Sequence, residues 1–172
     1  MLKRTSFKKL TFEQAKLKLK TRSVKPKKAR TRIKKQKVKS ISFLKKKLWK
    51  IVSQKIRERD KFICQTSGLQ VSGSNAHCGH MYPSSVGGIL LRYHPHNLGC
   101  QSYVENIHHS GNGAVYFQKY TEKYGVQAMN KLKELKNASA QADRHFFETM
   151  IDMYEEFELY ESEIIKFLES YT

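Results

Sequence analysis

The chain has 172 residues, with 33 Lys and Arg against 15 Asp and Glu, a formal net charge of +18. That length suits one compact domain with extensions rather than two full domains. A charge this one-sided repels itself in a compact state unless a polyanion neutralises it, which points to nucleic acid or an anionic surface as partner. No apolar run reaches membrane-spanning length, and Met1-Leu2-Lys3-Arg4 leads into lysines instead of a signal-peptide core, so a membrane partner is not expected and a cytosolic or nucleoid location is. Cys64, Cys78 and Cys100 are odd in number and lack short pairing intervals, which argues against a disulfide framework.

Residues 1–40 are dominated by Lys and Arg, with Glu13 as their one acid. Such a segment buries too little apolar surface to offset its ordering entropy, so a disordered or loosely helical arm is expected when free. Its functional reading is a DNA-binding arm that releases counterions from phosphates through Lys25, Lys27, Lys28, Arg30, Lys34 and Lys35. A solvated tail is the plainer alternative. From Ile41 to Asp60, Leu44, Leu48, Ile51 or Val52, and Ile56 recur at helical spacing opposite lysines, predicting an amphipathic helix with Trp49 as a packing residue.

Between Lys61 and Tyr120 the texture turns to Gly, Ser, His and Asn, and six of the seven histidines fall here. A short strand ending at His80, a turn over Ser84 to Gly88, a returning strand over Ile89 to Tyr93 and a following Asn/His-rich helix are predicted. Phe62, Leu69, Val71, Ile89, Leu91 and Val104 would pack this region, with His94, His96 and His108 at the surface. After Tyr124-Gly125, helices are predicted over Val126 to Asn137 and Asp143 to Ser170. On the last one Phe146, Met150, Met153, Phe157, Tyr160, Ile164 and Phe167 form a heptad seam. The seam either packs on the protein's own core or joins a homodimer, and periodicity does not choose. The expected organisation is an arm over 1–40, a core with its leading helix over 41–125 and a C-terminal helical region over 126–172.

Phosphodiester hydrolysis needs a base to deprotonate water and a cation to neutralise charge on the phosphate oxygens. A β-hairpin presenting a histidine, followed by a helix presenting metal ligands, supplies both. The sequence runs in that order through His77-Cys78-Gly79-His80, Arg92-Tyr93-His94-Pro95-His96-Asn97 and Asn106-Ile107-His108-His109-Ser110-Gly111-Asn112.

An ordered series over roughly Ile56 to Leu135 resembles the phage recombination nuclease family typified by lambda NinG, also called Rap, of the HNH (His-Me finger) class. It comprises Arg57-Glu58-Arg59-Asp60, Cys64, Gly68, Gly79-His80, Leu91-Arg92-Tyr93, Asn97, Asn106, Ser110-Gly111-Asn112 and Tyr124-Gly125. The resemblance implies an α+β fold, with a ββα-metal hairpin–helix core flanked by α-helices. It implies His80 as general base, Asn97 as the amide holding both hairpin and imidazole, and Asn106 as an oxygen ligand to Mg²⁺ or Mn²⁺. Many HNH sites carry Asp or His directly before the base, where this chain has Gly79. His77, two residues earlier on the same strand face, is the candidate for the vacancy, and His109 follows it. Arg92 is either a clamp on the scissile phosphate or an exposed strand residue.

Many members brace the hairpin with zinc on two Cys-x-x-Cys pairs. Here the four positions read Cys64, Ser67, Ser102 and Glu105, and Ser is a poor zinc ligand, so no structural zinc is expected. The activity implied is metal-dependent cleavage of branched recombination intermediates, such as Holliday junctions or D-loops, in the host-cell cytoplasm at the nucleoid. The alternatives are a sequence-preferring HNH nicking or homing endonuclease and a non-catalytic basic nucleic-acid-binding protein.

Overall fold

Helix α1 (Ile41–Arg59) begins at Ser40, whose side chain accepts from the Phe43 amide and satisfies one free donor of the first turn. This computed structural model describes residues 38–138 and 140–171. The expected arm, with Lys25, Lys27, Lys28, Arg30, Lys34 and Lys35, lies outside the described residues. Leu44, Leu48, Val52 and Ile56 recur every fourth residue along α1 and are all buried.

The end of α1 fastens the sheet. Strands β1 (Ala76–His80) and β2 (Leu98–Ser102) pair antiparallel, with Cys78 opposite Cys100 and His80 opposite Leu98. Arg57 Nη1 donates to the Ala76 carbonyl at 3.0 Å, and Arg59 Nη2 to the Leu98 carbonyl at 2.8 Å. Asp60, buried beside Arg59, accepts from the Cys100 amide at 2.7 Å. The Arg57-Glu58-Arg59-Asp60 run thus holds both strands to one helix terminus.

The predicted turn over Ser84 to Gly88 and strand over Ile89 to Tyr93 are instead helix α2 (Ser84–Arg92), interrupted at Gly88 by φ 64° and ψ −167°. Leu90 and Leu91 are both buried, which a helix allows and strand alternation does not. The returning strand is therefore β2, reached through a 3₁₀ turn at Pro95–Asn97. After β2 comes a π-helical turn, Val104–His108. Ser110, Gly111 and Asn112 then follow with φ of 51°, 83° and 46°.

Helix α3 (Gly113–Asn137) kinks at Gly125, φ 86° and ψ 160°, so the expected break is present and the residue-125 boundary falls at a kink within one helix. Its first half was not predicted. There Tyr116 and Tyr120 are buried, and Tyr120 Oη donates to the Leu98 carbonyl at 2.6 Å.

The expected last helix divides at Glu156 into α4 (Arg144–Glu155) and α5 (Phe157–Glu169). Along the seam Phe146, Met150, Phe157 and Ile164 are buried in the protein's own core, while Tyr160 stays exposed. Acids of this region meet α1 lysines, in Lys47–Glu155 at 2.6 Å and Lys55–Glu158 at 3.4 Å. Val71 and Leu91 are core residues as expected, but Leu69, just past the turn at residues 65–67, is 66% exposed and Val104, at the start of the π-helical turn, is 48% exposed. His94, expected at the surface, is 1% exposed, and His96 is half-buried against Tyr124, since the 3₁₀ turn folds inward beneath α3 and α5. The architecture is α+β, mainly helical, with one two-stranded antiparallel sheet among the described residues. No helix among them is long and apolar enough to cross a membrane.

Candidate functional site

His80 is the last residue of β1, and its ring lies against the indole of Trp49. His80 Nε2 stands 3.2 Å from the Arg92 carbonyl oxygen. A carbonyl only accepts, so in the neutral ring Nε2 carries the hydrogen and Nδ1 keeps its lone pair. Burial brings the His80 pKa down to about 4; the bond to Arg92 opposes that shift, and the Arg92 charge assists it. Nδ1 makes no hydrogen bond among the described residues. The imidazole is thus held neutral, with one nitrogen committed and the other available.

Arg92 ends α2 rather than sitting on a strand. Its guanidinium stands 5.6 Å from the Trp49 ring centroid and 6.0 Å from that of Tyr93.

Asn97 is fully buried and spans the loop between the strands. Its Oδ1 accepts from the Tyr82 amide at 2.8 Å, and its Nδ2 donates to the carbonyls of Tyr82 at 3.1 Å and Leu91 at 2.9 Å. These bonds tie together the loop that joins the two strands. None of them reaches the His80 ring, whose partners are Trp49 and the Arg92 carbonyl.

His77 and Asn106 come together. Asn106 Nδ2 lies 3.1 Å from His77 Nδ1, and His77 Nε2 lies 3.1 Å from the Ser74 carbonyl. With Trp49, Ser53, Arg57 and Cys78 they line a cleft of about 420 Å³. Alternation along β1 puts His77 and Gly79 on one face and His80 on the other, at the hairpin rim. The His80 ring hydrogen-bonds to neither Asn97 nor Asn106 among the described residues. His109 is exposed and pairs with Glu105 at 3.2 Å instead of joining the cleft.

Gly79 has no room for a ligand side chain: a Cβ there would lie 1.8 Å from Gln101 Oε1. Sequence reasoning missed both Gln101 and the stacking role of Trp49. Only the glycine preceding His80 hinted that another side chain fills its place.

The four positions expected to lack zinc form hydrogen bonds among themselves and their neighbours. Cys64 Sγ accepts from the Ser67 amide at 3.4 Å, and the Glu105 amide donates to Ser102 Oγ at 3.1 Å. Burial raises the Cys64 pKa, but bonds from Ser67 and Thr66 outweigh it and bring it down to about 7. The Glu105 carboxylate accepts from Asn112 Nδ2 at 2.9 Å and pairs with His109, which holds it below the usual carboxylate range. These bonds brace the turn that carries Asn106.

Compared with known proteins, the chain matches the family of the bacteriophage lambda NinG protein over residues 1–159. Neither the curated proteins nor the solved structures include a significant match.

Proposed function

The chain belongs to the family of the bacteriophage lambda NinG protein, and on that footing we propose that it is a metal-dependent endonuclease of the HNH class acting on branched DNA. The observation that carries the reading is the state of His80: neutral, locked in one tautomer by the Arg92 carbonyl, and stacked on Trp49 with Nδ1 unpaired among the described residues. That nitrogen takes the proton of a water whose oxygen attacks phosphorus as the bond to the leaving oxygen breaks. Asn97 keeps the loop, and with it the Arg92 carbonyl, in register with the base. Arg92, whose guanidinium lies at the Trp49 ring, would hold a phosphate oxygen.

The residues fit a hard divalent cation. Asn106 turns its amide nitrogen to His77, and Gln101 Oε1 is buried without a hydrogen-bond donor among the described residues. Asn106 would hold Mg²⁺ or Mn²⁺; of the further candidates from sequence, His77 has both ring nitrogens in hydrogen bonds and His109 pairs with Glu105 outside the cleft. When bound, the ion supplies charge neutralisation at the phosphate. The net charge of +18 suits a nucleic-acid partner, and a pair of cuts on opposing strands would use two copies of the chain.

The test compares a four-way junction, a flap and linear duplex, with and without Mg²⁺, for wild type and His80→Ala. Mg²⁺-dependent cleavage fastest on the junction, lost in His80→Ala while binding persists, is the expected result. Binding without cleavage under every condition would leave a cationic binding protein, and equal rates on duplex would remove the branch selectivity.

A further inference from the structure

Two amide oxygens converge beside Gly79. Gln101 pairs with His77 across the sheet and is fully buried. Its Nε2 donates to the Gly111 carbonyl at 2.7 Å, which fixes the amide, because turning it would set oxygen against oxygen. Gln101 Oε1 is then left buried with no hydrogen-bond partner among the described residues. An unpaired buried carbonyl is destabilising unless something electropositive reaches it.

Asn106 is oriented by a parallel chain of bonds. The Ser74 carbonyl accepts from His77 Nε2, so neutral His77 offers Nδ1 as an acceptor and draws the amide nitrogen of Asn106 towards it. Asn106 Oδ1 is turned to Gly79. A Cβ on Gly79 would stand 1.8 Å from Gln101 Oε1 and 3.0 Å from Asn106 Oδ1, so both oxygens border the volume that a side chain at 79 would fill. Oxygens so placed can share one ion held at about 2.1 Å from each. The place borders the His80 backbone, since a Cβ on Gly111 would stand 3.6 Å from the His80 carbonyl oxygen and 4.0 Å from Gln101 Oε1, while the imidazole leaves the strand on the other face. Among the described residues no three His, Cys, Asp or Glu side chains gather as a metal site; the convergent donors are amide oxygens.

We propose that Gln101 is a ligand of the divalent cation, reaching across the sheet into the place left open by Gly79 and binding the ion together with Asn106. His77, with both ring nitrogens engaged, is a positioning residue that turns Asn106. This rests on the reading of the protein as a metal-dependent nuclease. It also accounts for the glycine before the base, since a side chain there and Gln101 would exclude each other.

The test measures Mn²⁺ binding rather than turnover. The full chain carrying His80→Ala, chosen because on the proposed reading it would leave the DNA uncut, is titrated with Mn²⁺ beside a four-way junction. Free ion is read by electron paramagnetic resonance and corrected with a DNA-only control. Gln101→Ala in that background should weaken Mn²⁺ binding at least about tenfold. Adding Gly79→Asp to Gln101→Ala should restore it, because the carboxylate then enters the same volume from the other strand. Should Gln101→Ala fail to fold by circular dichroism, Gly79→Ala, which displaces Oε1 while keeping the glutamine, should show the same weakening. A folded Gln101→Ala that binds Mn²⁺ as tightly as its parent overturns the assignment of Gln101 alone. No protein-dependent Mn²⁺ binding by the parent overturns the metal-dependent reading and this inference with it.

Discussion

The imidazole of His80 and the indole of Trp49 are stacked, with centroids 5.2 Å apart and planes within 9° of parallel. One ring is at the end of a strand and the other in the middle of α1, so the helix that anchors the sheet also sets the base's environment. Trp49→Leu should let water reach the imidazole and raise its pKa from about 4 towards the ordinary 6.5. A base works deprotonated, so the rate falls as pH falls through its pKa, and the acid limb of the kcat/KM profile should move to higher pH. Trp49→Phe should keep the wild-type profile. A His80 ring titration by NMR that is the same in Trp49→Leu and wild type would refute the link.

Two further histidines bear on stability. Burial brings His94 down to about 3, aided by the charge of His96, and burial brings His96 itself down to about 4, aided by Arg59 and Lys123. Both stay neutral in the fold while the unfolded chain takes up protons below about pH 6.5. Stability is therefore intact above that pH and lost as pH falls from it towards the folded values. Between pH 6.5 and 5 the loss should approach about 1.4 kcal/mol per pH unit for each histidine. Denaturant melts across that window check the slope, and His96→Phe, which keeps a ring on Tyr124, should flatten it.

Asn97→Ala removes three hydrogen bonds and leaves the Tyr82 amide and two carbonyls without their partner. The cost should be about 3 kcal/mol. Asn97→Asp should be worse, because a carboxylate would face the carbonyls of Tyr82 and Leu91 in a buried place. Calorimetric melting orders the three proteins; an Asn97→Asp variant as stable as wild type would contradict the bonding described.

The basic arm is expected to act through phosphates. Replacing Lys25, Lys27, Lys28, Arg30, Lys34 and Lys35 together by Gln should lower the slope of log K against log salt by up to about 5 and leave branch preference unchanged. An unchanged slope in a filter-binding titration would show that these residues make no phosphate contacts.

Legibility in the sequence followed the strength of local pattern. Leu44, Leu48, Val52 and Ile56 announce α1 because a four-residue repeat of apolar side chains has one good solution. The stretch from Ser84 to Tyr93 misled because Ile89, Leu90 and Leu91 read alike as strand or short helix, and only the joint burial of Leu90 and Leu91 decides. His94 looked like a surface residue because nothing local signals that the turn at Pro95–Asn97 tucks inward. In the site, Asn97 and Asn106 are singled out through the resemblance and His77 through strand alternation, and the structure sets His77 beside Asn106 and Asn97 in the loop between the strands. Gln101 was not, since its importance lies in an oxygen without a partner, and pairing is a property of three-dimensional surroundings.

The two arginines at the end of α1 have a consequence for how the molecule breathes. Arg57 grips the start of one strand and Arg59 the start of the other, while Asp60 takes an amide between them. The ribbon cannot peel away unless the final helical turn unwinds with it. Backbone amides of that turn and of both strands should therefore surrender deuterium together, as one cooperative opening and not as a fraying edge.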